Sequence, residues 1–111
     1  MSKHYRVSVI LLYREKGEFT LYPMYFSLEE TLRNWGLGIE SSIVCGKREF
    51  YCTGVVDIGE SSVSDAHDGI SEAISKRIIF AGNSGMLKKF QLTTKWKRLD
   101  DIDEVVVSSL K

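Results

Sequence analysis

Residues 64–81, reading SDAHDGISEAISKRIIFA, do most to limit the folds open to this chain. Ala66, Ile70, Ala73, Ile74, Ile78 and Ala81 recur at steps of three and four, which places them along one face of a helix. Asp68, Ser71, Glu72, Ser75 and Lys76 fall on the other side. Ser64 or Asp65 is placed to cap the start, because a short side-chain oxygen accepts from the free amides of a first turn. Glu72 precedes Lys76 by four residues, the favourable order for a surface ion pair. Gly82 and Asn83 tolerate the left-handed backbone that ends a helix. Gly69 runs against the pattern and costs about 1 kcal/mol relative to alanine. A helix with such a stripe needs an apolar surface to lie on, and the rest of the chain is rich in strand patterns.

Residues 5–14 alternate, with Tyr5, Val7, Val9, Leu11 and Tyr13 on one face and Arg6, Ser8 and Arg14 on the other. Ile10 and Leu12 make the middle apolar on both faces, as in a central strand. A hairpin connection at 15–18, containing Gly17, leads to an expected return strand at 19–25. Pro23 cannot donate to a ladder, so that strand is read as an edge or as bulged. Ser27, Leu28, Glu29 and Glu30 spell a capping box, and Leu28, Leu32 and Trp35 share a face of a short helix ended by Gly36. Strands are expected at 39–45 and 49–58, joined by a turn at 46–48. After the long helix, a turn at 83–85 leads to a strand in which Met86, Lys88, Phe90, Leu92, Thr94 and Trp96 oppose Leu87, Lys89, Gln91, Thr93, Lys95 and Lys97. The last segment, LDDIDEVVVSSLK, is read as a helix. Its acids suit a first turn, Lys111 suits a last one, and Ile102, Val106 and Leu110 keep helical spacing. The run Val105, Val106, Val107 favours a strand instead.

The expected order is therefore ββαββαβα. It describes a single α+β domain over residues 1–111, a mostly antiparallel five-stranded sheet with helices packed on one face. At 43% hydrophobic residues, a chain of this length builds a core without a staple. No apolar run approaches the length of a membrane span. The start, MSKHYRVSV, enters a strand pattern directly and has no signal-peptide core, so the expected location is the cytoplasm, where thiols stay reduced.

Motifs that carry chemistry are sparse. Cys45 and Cys52 flank the predicted hairpin with a spacing wider than metal sites use, and read as structural thiols. A hairpin register that set them opposite one another would allow a disulfide. The histidines are His4 and His67. Asp65, His67 and Asp68, preceded by Asp57 and Glu60, suggest a general base or a metal ligand. Helix capping explains Asp65 and Asp68 without a substrate. The glycine loop at 81–85 follows a helix, whereas phosphate loops precede one. The loop at 58–62 precedes a helix but is flanked by acids. No metal, cofactor or catalytic set is expected, and the chain reads as a non-enzyme.

Charge is neutral overall, with 15 basic and 15 acidic residues, which argues against a general polyanion binder. It is nevertheless segregated. Asp57, Glu60, Asp65, Asp68 and Glu72 occur with no Lys or Arg between them; Lys76, Arg77, Lys88, Lys89, Lys95, Lys97 and Arg98 follow with no acid; Asp100, Asp101, Asp103 and Glu104 close the series. This pattern, with tyrosines at 5, 13, 22, 25 and 51 that suit interface anchors, points to a protein-binding module. One form would be an immunity-type inhibitor that neutralises a basic toxin or nuclease domain. Its candidate contact residues are Asp57, Glu60, Asp65, His67, Asp68 and Glu72. Nucleic-acid binding through Lys76, Arg77, Lys88, Lys89, Lys95 and Lys97 is the alternative, weakened by the lack of an interleaved aromatic platform. A small-ligand sensor with His67 as the titrating group is a further one.

Overall fold

The computed structural model describes residues 3–14, 21, 24–80 and 89–111, with 77–80 in backbone only. The elements are β1 (His4–Tyr13), α1 (Tyr25–Trp35), β2 (Gly38–Cys45), β3 (Glu49–Asp57), α2 (Val63–Phe80), β4 (Phe90–Arg98) and β5 (Glu104–Leu110). The strands form one antiparallel sheet in the order β2-β3-β1-β4-β5.

β1 is the middle strand, as its two-sided apolar centre implies. On the helix face Val7, Val9 and Leu11 are fully buried, facing Gly54, Cys52 and Phe50 on β3 and Trp96, Thr94 and Leu92 on β4. Both helices cover this face, α1 toward β2 and α2 toward β4 and β5. Ala66, Ile70 and Ile74 of α2 are buried there, as the stripe predicts. Trp96 lies at the centre of the layer, edge-on to Tyr5 at 5.9 Å and to Trp35 at 6.4 Å between ring centroids. Such pairs add about 1 kcal/mol each beyond their buried area.

Gly69 is explained by Trp35. A Cβ at position 69 would stand 3.0 Å from the Trp35 indole nitrogen, so the missing side chain lets the two helices approach. Gly36 ends α1 at φ 127°, donating to the carbonyls of Leu32 and Arg33. Gly46 turns β2 into β3 at φ 62°.

Among the described residues the sheet has the expected five strands but a different membership. The predicted turn at 15–18 and most of the return strand at 19–25 lie outside the described residues, as do the turn at 83–85 and residues 86–88. Tyr25, expected at a strand's end, instead opens α1. Its N-cap is Met24, with no side-chain cap, so the Ser27 capping box is not used. Ser27 lies inside the helix, its carbonyl accepting from the Thr31 hydroxyl at 2.8 Å. In α2 the cap is Ser62, whose hydroxyl accepts from the Asp65 amide at 3.0 Å, rather than Ser64 or Asp65. The final segment is a strand and not a helix. Asp101 Oδ1 accepts from the amides of Ile102 and Asp103, which turns the chain back. The valine run then pairs with β4 from Lys97↔Glu104 to Gln91↔Leu110. The observed order is βαββαββ.

Candidate functional site

The exposed acids of α2 line up. Asp65, Asp68 and Glu72 are spaced by three and four residues, so they project from one side of the helix, and all three are exposed. Glu72 is tied to Lys76 at 2.7 Å, a contact that holds its carboxyl below the usual range. At the N-terminal end of this ridge lies a depression of about 240 Å³ lined by Trp35, Asp57, Ile58, Ser61 and Asp65, among others. Asp57 is held at its edge. Its Oδ1 accepts from the backbone amides of Gly59 and Lys3, both at 2.9 Å. These two bonds lower its pKa, and His4 Nε2, 3.8 Å from Oδ2, adds to the effect. Glu60 is exposed in the adjoining turn. The structure thus brings Asp57 and Asp65 to one depression and continues it with Asp68 and Glu72.

His67 does not belong to that surface. It is 1% exposed, on the side of α2 facing the sheet. Nδ1 lies 2.7 Å from Thr94 Oγ1, and Nε2 lies 2.7 Å from Ser109 Oγ. The Trp96 indole N–H donates to Thr94 Oγ1 at 2.6 Å. Thr94 is fully buried, so its hydroxyl bonds both the indole and the imidazole away from water. Both ring nitrogens are thus engaged by hydroxyl groups, one on β4 and one on β5. Burial lowers the His67 pKa, partly opposed by Asp68. A neutral ring with both nitrogens engaged is a core histidine, and it has no lone pair to offer a substrate.

The basic candidates do not form one surface. Lys76 stands in the helix layer beside Glu72, whereas Lys95 and Lys97 are exposed on the uncovered face of the sheet. There Lys97 lies between Arg6 and Glu104, and Lys95 between Ser8 and Val106. Arg6 is itself clasped by both carboxylate oxygens of Glu40, at 3.0 and 3.2 Å. Lys89 is exposed just before β4, while Lys88 and the Arg77 side chain lie outside the described residues. The open face is thus mixed in charge. Its one described aromatic ring is Tyr51, whose hydroxyl donates to Glu49 at 2.8 Å.

The thiols are apart. Cys52 faces Ser42 in the register and Cys45 faces Glu49, so they sit on opposite faces of the sheet, and both are free. Burial, helped by the nearby Glu29 carboxylate, pushes the Cys52 thiol up to about 11, which makes it inert.

A groove of about 400 Å³ between α1 and β2, lined by Tyr25, Phe26, Ser42, Ile43 and Val44, was not visible in the sequence. The Tyr25 hydroxyl donates to the Ser42 carbonyl at 3.0 Å, and the Ser42 hydroxyl donates to Glu29. Glu29 is buried and lies 3.8 Å from Arg33. Phe26, 79% exposed, stands in the wall of the groove. Comparison with protein-family models, with curated proteins and with solved structures finds no match to this chain.

Proposed function

We propose that this chain is a protein-binding module that docks a basic partner on the acidic ridge of α2. The observation that carries the reading is the alignment of Asp65, Asp68 and Glu72 on one exposed side of the helix, continued by Asp57 at the depression beside Trp35. Carboxylates in a row on a rigid helix present a fixed negative potential, which speeds association with a positively charged surface and favours one orientation. Lys76 neutralises Glu72 at the far end of the ridge, which leaves Asp57, Asp65 and Asp68 to set the field, while the lysines at 95 and 97 stand on the opposite face of the sheet. An inhibitor of the immunity type, which occupies the basic cleft of a toxin or nuclease domain, is the form of binding module that this charge arrangement suits. Nucleic-acid binding is less well supported, because Glu104 and Glu40 stand beside Lys97 and Arg6 on the only sheet face that carries a described lysine pair.

The test compares the tagged wild type with an Asp65→Lys, Asp68→Lys variant, both expressed in the native host. Both positions are exposed, so the fold is retained. The reading expects a stoichiometric basic protein on the wild type, released by high salt and absent from the variant. A partner held equally by both proteins would contradict it.

A further inference from the structure

The two edges of the sheet are treated differently. On β2 the ladder is broken by a register shift between Ile39 and Ser41, with the charged Glu40 at that point. Bulges and charges of this kind protect an edge from pairing with another chain. β5 has neither. It runs seven residues without bulge, proline or internal lysine, and Val105, Val106 and Leu110 are 47%, 54% and 62% exposed. Ile102, in the turn before it, is 89% exposed.

The outward backbone groups of β5 follow from its ladder. Phe90 and Lys111 exchange both bonds, N–H to O at 3.1 Å and 2.9 Å. Antiparallel pairs alternate, so Val105, Val107, Ser109 and Lys111 turn their amides and carbonyls toward β4. Those of Glu104, Val106, Ser108 and Leu110 point away from the sheet. Among the described residues nothing pairs with them.

We propose that β5 pairs antiparallel with β5 of a second copy of this chain, about a twofold axis at Val106. Residues opposite one another must share a face of the sheet, which restricts an axis within the strand's centre to Val106, Val107 or Ser108. An axis at Val107 sets Glu104 against Leu110. One at Ser108 sets Val105 against Lys111. The axis at Val106 pairs Val106 with itself and Val105 with Val107, and leaves Glu104 opposite Ser108. It also brings the end of each strand, Leu110 and Lys111, toward the β4–β5 turn of the second copy, which holds Asp101 and Ile102. The exposed valines then meet one another, and the acidic turn that precedes each strand lies beside the basic end of its mate. A strand that is acidic at one end, basic at the other and apolar between complements itself when antiparallel. The partner is thus a second copy rather than an unlike strand. The pairing joins two five-stranded sheets into one and leaves the α2 ridge for other partners.

Sedimentation equilibrium over a concentration series tests this, with circular dichroism to confirm folding. The wild type is expected to dimerise. Val106→Lys, at an exposed position, places two lysines on the axis and should weaken association at least tenfold while the fold is kept. In a Cys45→Ser background, Val106→Cys should form a disulfide-linked dimer under mild oxidation, whereas Ser108→Cys should not, since its mate is Glu104. A wild type that stays monomeric at all concentrations overturns the pairing. Dimers that persist in Val106→Lys, or that cross-link better at 108 than at 106, overturn the axis.

Discussion

His67 Nε2 stands 2.7 Å from the Ser109 hydroxyl, a bond that joins α2 to the outermost strand across 42 residues of chain. With Thr94 and Trp96 it forms one buried relay, in which the indole donates to the Thr94 hydroxyl and the two His67 ring nitrogens bond the Thr94 and Ser109 hydroxyls. The relay fixes the helix to both β4 and β5.

The relay makes stability depend on pH. The His67 pKa is lowered in the folded state, so between that value and the unfolded one of about 6.5 the unfolded chain binds more protons. The contribution is complete above about pH 6.5 and is lost as pH falls below it, at up to about 1.4 kcal/mol per pH unit. Asp57 and Glu72, whose pKa values are also lowered, lose theirs only below about pH 4. Urea unfolding of the wild type and of His67→Gln from pH 7 to 5 should give a steeper decline for the wild type. Equal slopes would remove His67 from the account.

Thr94→Val keeps shape but deletes the hydroxyl at the centre of the relay. It leaves the Trp96 N–H and His67 Nδ1 buried without partners, at a cost of about 3 kcal/mol. Thr94→Ser keeps the hydroxyl and should lose about 1 kcal/mol, for a methyl group alone. Denaturant midpoints at pH 7.5 would separate the two.

Gly54 sits where β2 crosses close to β3. A Cβ there would collide with the Gly38 carbonyl oxygen, which is backbone and cannot rotate away. Gly54→Ala should destabilise the domain by about 2 kcal/mol and loosen β2 first. Hydrogen exchange at the amides of β2 should accelerate more than at β4.

A thiol reagent should modify Cys45 in the native protein and leave Cys52 untouched until the chain unfolds. Cys45 is exposed, while Cys52 is 1% exposed and its thiol is pushed up to about 11. Mass spectrometry of the labelled peptides decides it.

Much of the sheet was legible in the sequence because its cause is local. Val7, Val9 and Leu11 alternate, Phe90, Leu92, Thr94 and Trp96 alternate, and a period of two sends each set to one face. Ile70 and Ile74 obey the helical period in the same way. The last segment failed because two local signals competed. The acids that resembled a helix's first turn form the turn between β4 and β5, and the β-branched valines won once β4 was there to pair with. The Ser27 capping box failed for a related reason, since α1 begins earlier, at Tyr25. His67 was misplaced because its partners lie 27 and 42 residues away. Its burial with Ser71 shows that the covered arc of α2 is wider than the apolar residues alone mark. The acidic ridge was legible, since spacing by three and four on a helix fixes a shared side.

The most direct test of the binding account is partner retention by the tagged wild type beside the Asp65→Lys, Asp68→Lys variant, at low and high salt. The account predicts one basic protein in stoichiometric amount on the wild type at low salt, lost at high salt and lost in the variant. Equal recovery from both proteins, or a partner indifferent to salt, would contradict it.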